Sequence, residues 1–269
     1  MRIVDRGGGT PIVVIPGIQG RWEWMRPAID ALAQRARVVT FSLADEPSCH
    51  APFDARRGLD CYIDQVRDAL DAAGIDRAAI CGMSYGGVIA AAFAARCPDR
   101  TASVVMASAM PPSWTPDRRV RFYLRAPRAL MPLFLLSSLR IYREIAAANS
   151  GVARGLAPGA RHAGRALSHM FSPGRMARRV SFLPDAALSN EISRVRVPAL
   201  IITGEAALDR IIPVSATLEY ARMWPHARVA EMPRTGHLGL ITRPDAFVSL
   251  VVPFAEQAVH DARGKRRAG

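Results

Sequence analysis

Ser84 has the surroundings that best fit a nucleophile. It lies in the stretch ICGMSYGG (Ile80–Gly87), between an apolar run that predicts a buried strand and a second run that predicts a helix. Gly82 and Gly86 stand two residues before and two residues after it, so the backbone can turn sharply and expose the serine hydroxyl. The alternative is a turn serine that only caps the helix. This G-x-S-x-G pattern predicts nucleophilic attack on a carbonyl carbon.

A serine hydroxyl at neutral pH needs a base, and the base needs an acid that holds its tautomer. Among six histidines, His237 is the one predicted to lie on a loop at the carboxyl end of a strand. The loop after the preceding strand offers Glu205 and Asp209. We favour Asp209 because it lies further into the loop, whereas Glu205 is equally suited to a cap or a salt bridge. The chain order Ser84, Asp209, His237 then matches the order Ser, Asp/Glu, His.

The charge that develops on an attacked carbonyl oxygen needs two donors, commonly backbone N–H groups. Tyr85 N–H follows the nucleophile, and the loop VVIPGIQGRW supplies the second donor, with Ile18 preferred and Gln19 next. An ordinary Gly-Pro turn is the alternative for that loop. The candidates for substrate contact are Gln19, Trp22 and Met110. For Trp22, packing against the following helix explains the residue equally well.

Short apolar runs alternate with segments of helical spacing along the chain. We predict strands at 11–16, 36–43, 78–83, 101–108, 198–204 and 227–233, with an edge strand near the start, and helices at 25–35, 59–74, 86–97, 213–223 and 244–260. The strand runs are rich in Val and Ile, which is typical of strands buried on both faces of a parallel sheet. The fold class is therefore α/β, with a doubly wound, mostly parallel sheet covered by helices.

The alternation stops between residues 111 and 193, where the chain becomes helical in pattern, rich in Arg and interrupted by Pro. We predict a helical cap inserted over the carboxyl ends of the strands, where open α/β sheets bind ligands. The core then consists of residues 1–110 and 194–262, and residues 263–269 form a basic tail.

The positive charge is concentrated in this insertion. The chain has a net charge of +13, and residues 117–180 contain 13 arginines against two acids, Asp117 and Glu144, a net charge of +11. The arginines either bind an acidic substrate or are solvated, and we favour solvation because exposure is the usual state of Arg. Asp45 and Glu46, after another predicted strand, are candidates for substrate contact or for helix capping.

The composition also indicates where the protein works. The cysteines at 49, 61, 81 and 97 form no CxxC pair and no zinc-site spacing, which favours reduced thiols in a cytoplasmic protein. The first residues do not form the continuous apolar stretch of a signal peptide. No run approaches the ~18 apolar residues of a membrane span. We therefore expect no stable membrane insertion and no nucleic-acid partner.

The motifs together resemble the α/β-hydrolase fold family, in its broad group of capped esterases, lactonases and C–C hydrolases. The resemblance covers about 11–110 and 195–260 and rests on GMSYGG, PGIQG, GEAALDRIIP and TGHLG. It implies a Ser-His-Asp hydrolase with no metal and no organic cofactor. Where this family often has His-Gly, the chain has Pro16-Gly17; the oxyanion donor is a backbone group, so we expect the oxyanion hole to persist.

The leading hypothesis is a serine hydrolase that cleaves a small-molecule carboxylic ester or lactone through an acyl-enzyme. Alternatives with the same triad are an acyltransferase and a C–C hydrolase or enol-lactonase acting on acidic products of aromatic degradation. A non-catalytic ligand-binding protein is the alternative outside enzymes. The oligomeric state is left open by the sequence.

Overall fold

A seven-stranded sheet forms the centre of the molecule, in a computed structural model that describes residues 1–137, 141–148, 172–183 and 186–268. The strands are β1 (Val4–Arg6), β2 (Pro11–Ile15), β3 (Arg37–Thr40), β4 (Ala78–Met83), β5 (Thr101–Ala107), β6 (Ala199–Thr203) and β7 (Arg228–Glu231). Their spatial order is β1-β3-β2-β4-β5-β6-β7. β1 pairs with β3 in antiparallel fashion, and the other neighbours are parallel.

Helices surround this sheet. They are α1 (Arg26–Leu32), α2 (Asp60–Ala72), α3 (Tyr85–Arg96), α4 (Arg118–Arg125), α5 (Met131–Ser137), α6 (Tyr142–Ala148), α7 (Pro173–Val180), α8 (Ala186–Ser193), α9 (Val214–Thr217), α10 (Glu219–Met223), α11 (Gly239–Thr242) and α12 (Pro244–Ala268). Short 3-10 turns lie at Trp22–Met25, Pro47–Cys49, Ala55–Arg57 and Pro98–Arg100.

Two apolar layers form because successive strand residues point to opposite faces. In β2, Val13 and Ile15 pack with residues of α2 and α3, whereas Ile12 and Val14 pack with residues of α1 and α12. All four side chains are buried. The α/β class, the doubly wound sheet and the six predicted core strands are therefore confirmed, as is the edge strand near the start.

Two elements differ from the sequence prediction. β7 is not buried on both faces, since Val229 in its middle is 52% exposed. The reason is its position at the edge of the sheet, where a strand has one neighbour instead of two. The last helix continues to Ala268, past the predicted end at residue 260 and through most of the segment predicted as a tail.

The described part of the predicted insertion is helical and divides into two regions. α4, α5, α6 and α7 lie between β5 and α8 in the chain, and the contacts of α6 and α7 are given below. α8 packs against α3, and its Leu188 and Ile192 are buried in the core. We therefore propose that the insertion ends before α8 and not at residue 193. Within the described residues, no helix combines the length and hydropathy needed to cross a membrane.

Candidate active site

The carboxyl ends of β4, β5, β6 and β7 meet at one edge of the sheet. The register places Met83 beside Ala107, Ala107 beside Ile202, and Thr203 beside Glu231. The loops that follow these strands must therefore be neighbours. Three of them carry the predicted nucleophile, acid and base.

Ser84 adopts a strained backbone conformation, with φ 53° and ψ −119°. Non-glycine residues rarely occupy such positive φ values, and those that do often serve a function. The turn requires glycine on both sides of Ser84. A Cβ added at Gly82 would lie 2.2 Å from Gly86 O, and one added at Gly86 would lie 2.5 Å from Ile15 O, both too close for a side chain. A hydrogen bond from Ser84 N to Ala107 O (3.0 Å) fixes the turn to the neighbouring strand.

Helix α3 begins directly after Ser84 and directs its N-terminus toward the nucleophile. The first N–H groups of a helix have no acceptor within it, and this end carries a partial positive charge. Tyr85 N–H, one of the two predicted oxyanion donors, is the first of them. On the other side of the turn, Met110 N donates to Ser84 O (3.0 Å). The structure thus brings both Tyr85 and Met110 to Ser84.

The loops that carry the predicted acid and base pack backbone against backbone. A Cβ added at Gly204 would lie 2.5 Å from Thr235 O, and one at Gly236 would lie 2.6 Å from Leu208 O. Glu205 N also donates to Thr235 O (2.8 Å). This contact is possible because both positions are glycine.

His237 and Asp209 come together in this packed region. His237 Nδ1 lies 3.4 Å from Asp209 Oδ2, and both side chains are almost completely buried. The pair is close but poorly aligned, since His237 Nδ1 makes no hydrogen bond with the described residues. The other oxygen of Asp209, Oδ1, accepts from Ile211 N and Ile212 N at 3.0 Å each, which fixes the carboxylate.

Glu205, the other candidate acid, has a different partner. Its Oε1 accepts a hydrogen bond from Arg234 N (2.6 Å), on the loop that leads to His237. Arg234 has a positive φ of 60°. Glu205 therefore stabilises the turn of the base loop, whereas Asp209 faces the histidine.

The predicted oxyanion loop lies against the nucleophile. β2 and β4 are neighbours, with Ile15 beside Gly82, so the loop after β2 follows the edge on which Ser84 lies. A Cβ added at Gly17 would lie 3.4 Å from Ser84 Cβ and 3.3 Å from Gln19 Oε1. Ile18, the preferred donor, is the next residue. The structure thus brings Ile18 and Gln19 to the same place as Ser84.

Trp22 lies elsewhere. The Arg6 guanidinium is 5.6 Å from the centre of its ring, and the ring packs against the apolar layer on the α1 and α12 side. It also lines a small cavity with Arg2, Val4, Glu23, Ser42 and Ser48, none of which belongs to the predicted triad. These contacts favour the packing alternative for Trp22 over substrate contact.

The sequence analysis did not identify Glu144 of α6 as a site residue. Its side chain is buried, and Oε1 accepts from Leu238 N (2.6 Å), next to the predicted base. Its second oxygen, Oε2, has no hydrogen-bond partner among the described residues. Burial raises the pKa of Glu144 to about 7, although the N–H groups of Gly236 and Leu238 and the nearby His237 lower it in part. One available signal was that Glu144 is one of two acids in a strongly basic segment.

The contacts of Asp45 and Glu46 were also missed. Arg175, Arg178 and Arg179 of α7 form ion pairs with these two carboxylates, whose side chains are fully buried. The expectation that the cap arginines are solvated is therefore wrong for Arg179, which is also fully buried. Burial lowers the pKa of Arg179, but the adjacent Asp45 and Glu46 offset this effect and leave it above its ordinary value.

Comparison with known proteins agrees with the fold. Residues 12–250 match the Alpha/beta hydrolase family. The chain belongs to this family. It is 26% identical to the 2-hydroxy-6-oxo-2,4-heptadienoate hydrolase of Pseudomonas putida, across 93% of this chain and 90% of that protein. It is 24% identical to the pimeloyl-[acyl-carrier protein] methyl ester esterase of Nitrosomonas europaea, across 93% of this chain and 97% of that protein.

A solved structure shows the same fold. The enol-lactonase of Burkholderia xenovorans superimposes with a TM-score of 0.75 at 22% identity, across 94% of this chain and 95% of that protein. The resemblance deduced from the sequence motifs is therefore confirmed at the level of the family. As a member of the Alpha/beta hydrolase family with hydrolases among its relatives, the protein is a hydrolytic enzyme.

Proposed function

We propose that this α/β hydrolase cleaves a carboxylic ester or lactone through an acyl-enzyme on Ser84. The observation that carries the proposal is the position of Ser84, which is held at φ 53° between β4 and α3. Ser84 directly follows β4 and therefore lies at the same edge of the sheet as the buried pair of His237 and Asp209. In this assignment Ser84 is the nucleophile, His237 the base and Asp209 the acid.

The reaction has two halves, and each moves one proton through His237. His237 Nε2 accepts the proton of the Ser84 hydroxyl as Oγ attacks the carbonyl carbon, and Asp209 stabilises the imidazolium. The N–H groups of Ile18 and Tyr85 bind the oxyanion. Collapse breaks the bond to the alkoxide, which takes the proton from His237. A water molecule then loses a proton to His237 as it attacks the acyl carbon. The bond between that carbon and Ser84 Oγ breaks, Oγ takes the proton back from His237, and the acid is released.

Hydrolysis of a C–C bond in an acidic substrate has some support from the Pseudomonas relative. The structure weakens one reason for it, because the three arginines of α7 are already paired with Asp45 and Glu46. The two carboxylates offset two of these three positive charges, so less charge is left for an anionic substrate. Ester or lactone cleavage therefore remains the favoured assignment.

The test is a phosphonate probe that labels activated serines, combined with p-nitrophenyl esters of increasing acyl length, lactones and a vinylogous diketone. Ser84→Ala should lose labelling and hydrolysis together. Ser108→Ala is the matched control, since Ser108 also follows a core strand, has a positive φ of 40° and is buried. Ser108→Ala should label as strongly as the native chain.

The pattern of products separates the alternatives. Equal labelling of Ser84→Ala and native protein would refute the nucleophile assignment. Activity on the diketone alone would favour C–C hydrolysis, and transfer of the acyl group to added methanol in preference to water would favour an acyltransferase. Activity on no substrate, without labelling, would favour the ligand-binding alternative.

We also propose a cytoplasmic location. Cys49, Cys61, Cys81 and Cys97 are free thiols in the structure, a state that a reducing compartment maintains. Fractionation of cells that produce the protein tests this, and recovery from the medium or periplasm would contradict it.

A further inference from the structure

Three arginines of α7 meet two acids of the core. Arg175, Arg178 and Arg179 have the i, i+3, i+4 spacing that places side chains on one face of a helix. Asp45 and Glu46 are adjacent in the loop after β3. We call these five residues the arginine cluster. Arg175 forms two bonds of 3.0 Å to Glu46, and Arg178 lies 3.2 Å from Asp45.

Arg179 lies at the centre of the arginine cluster and also makes a contact outside it. Its Nη2 donates to Asp45 Oδ1 and Glu46 Oε1 at 2.6 Å each, and its Nε donates to Asp45 Oδ1 at 3.1 Å. The remaining amino group, Nη1, donates to Ile18 O at 2.7 Å. Arg179 therefore connects the insertion to the loop that carries the proposed oxyanion donor.

Two hydrogen bonds fix both peptide units around Ile18. Gly20 N donates to Gly17 O (2.9 Å), and Arg179 holds Ile18 O. A trans peptide is planar, with its N–H and C=O on opposite sides. Holding Gly17 O therefore sets the direction of Ile18 N–H, and holding Ile18 O sets the direction of Gln19 N–H. The orientation of either candidate donor thus depends on a tethered carbonyl.

The guanidinium of Arg179 also fills the space behind the turn. Gly20 has φ +76°, and a Cβ there would lie 2.4 Å from the guanidinium carbon. Gly20 O accepts from Leu43 N (2.7 Å), which joins the turn to the loop that leads to Asp45. Arg179 packs directly on the backbone of the oxyanion loop, which leaves this loop little freedom to move away.

The acid side of the arginine cluster is itself held by the core. Gln65 of α2 accepts from Ala44 N (2.8 Å) and donates to Ser42 O (2.8 Å), so the residues before Asp45 are fixed. A guanidinium suits such a site because its planar arrangement of N–H donors contacts several acceptors at once. Hydrogen bonds of Gln65 and Arg179, joined by the backbone between Ala44 and Asp45, therefore connect α2 to Ile18 O.

We propose that Arg179 is a positioning residue for the oxyanion loop. It holds the Ile18 carbonyl and packs on Gly20, whose N–H bond to Gly17 O directs the Ile18 N–H at the reacting carbonyl oxygen. This inference rests on the proposed function. It assigns a catalytic consequence to a buried side chain of the insertion, far from Ile18 in the sequence.

The competing explanation is that the arginine cluster only attaches α7 to the core. Arg175 distinguishes the two, because it extends from the same helix to the same acid, and its side-chain bonds go to Glu46. Arg175→Met should loosen the attachment without releasing the Ile18 carbonyl. Arg179→Met should do both, and Arg179→Lys keeps a charge near Asp45 while losing the planar arrangement of donors.

The experiment measures kcat and KM for the best ester, and the affinity for an arylboronic acid that forms a tetrahedral adduct with the nucleophilic serine. Loss of one oxyanion donor lowers kcat about 100- to 1000-fold in other hydrolases. For a misdirected donor we expect a fall of about 10- to 100-fold in kcat for both Arg179 variants, with KM changed less than about threefold. The affinity for the boronic acid should fall in parallel.

Arg175→Met should keep kcat within about threefold of the native value. If the Arg179 and Arg175 variants lose equal activity, or if the Arg179 variants change KM alone, the proposal is wrong. Should Arg179→Met fail to fold, the split between kcat and KM in Arg179→Lys decides. Failure of the proposed function has a different signature, since native protein would then leave Ser84 unlabelled by the phosphonate probe.

Discussion

Two loops flank Ser84: the loop with the proposed oxyanion donor and the loop with the proposed base. Each contacts a buried charged side chain, but the two side chains differ in how completely they are hydrogen-bonded. On the oxyanion side, Arg179 is paired with two carboxylates and a backbone carbonyl. On the base side, Glu144 contributes one oxygen to Leu238 N, while its other oxygen has no partner among the described residues. A fully paired group can be completely buried and still keep its charge, whereas a partly paired group shifts its pKa toward the neutral form.

The difference matches what each loop must do in the proposed mechanism. The oxyanion donors act by pointing in a fixed direction, and a rigid network of hydrogen bonds serves this purpose. The base must change its charge in every cycle, so its surroundings have to accommodate both protonation states. The close but poorly aligned contact of His237 with Asp209 belongs to this second environment.

The largest effect should come from removing the charge of the acid on the base side. Asp209→Asn keeps the acceptor oxygen for Ile211 N and Ile212 N but no longer stabilises the imidazolium. We expect kcat to fall about 1000- to 10,000-fold. Glu205→Gln is the matched control and should keep kcat within about tenfold, because its contact is to Arg234 N. A larger loss in Glu205→Gln than in Asp209→Asn would reverse the assignment of the acid.

The next effect concerns stability on the oxyanion side. Arg179→Met leaves Asp45 and Glu46 buried without their central partner, so the free energy of unfolding should fall by about 3 to 5 kcal/mol. Arg178→Met should lose less than about 1 kcal/mol, since the Arg178 side chain is 40% exposed. Urea unfolding at pH 7 measures both, and equal losses would contradict the central place of Arg179.

The third effect is a dependence of stability on pH that arises from the base side. The pKa of Glu144 rises from 4.5 to about 7 on folding. Between these two pH values the folded chain therefore keeps a proton that the unfolded chain has lost. The stabilising contribution of the neutral form is complete below 4.5 and is lost as the pH rises through about 7. It amounts to about 3 kcal/mol, since one pKa unit corresponds to about 1.4 kcal/mol.

Glu144→Gln tests this effect because the amide keeps an acceptor for Leu238 N–H but does not ionise. The variant should gain stability relative to the native chain between pH 5 and pH 8, by up to about 3 kcal/mol in the free energy of unfolding. Urea unfolding at both pH values gives this difference. An unchanged difference would show that folding does not raise the pKa of Glu144.

Much of the fold and of the proposed triad can be predicted from local sequence patterns. Ser84 lies between two glycines at a strand-to-helix junction, and the order of Asp209 and His237 adds a second constraint. The strands can be recognised in the sequence because strands buried on both faces are continuously apolar. β7 is the exception, since its run includes Arg228 and Glu231, lies at the edge of the sheet and is largely exposed.

The charged contacts could not be predicted in the same way. Asp45 and Arg179 are separated by 134 positions in the chain, and an arginine-rich composition offers many partners for each acid. The helical spacing of Arg175, Arg178 and Arg179 shows that they share a face, but not what that face meets. Glu144 presents the same difficulty, because its partner Leu238 N is a backbone group without a side-chain signature.

The contact between Gly20 and Arg179 limits how far the insertion can be treated as an exchangeable module. A foreign insertion that lacked the guanidinium would leave a void behind the turn, and one with a bulkier group there would collide with the backbone at Gly20. Chimaeras that exchange the insertion to alter specificity should therefore lose turnover as well, unless position 179 is retained. A chimaera of this protein should therefore keep both Gly20 in the core and Arg179 in the insertion.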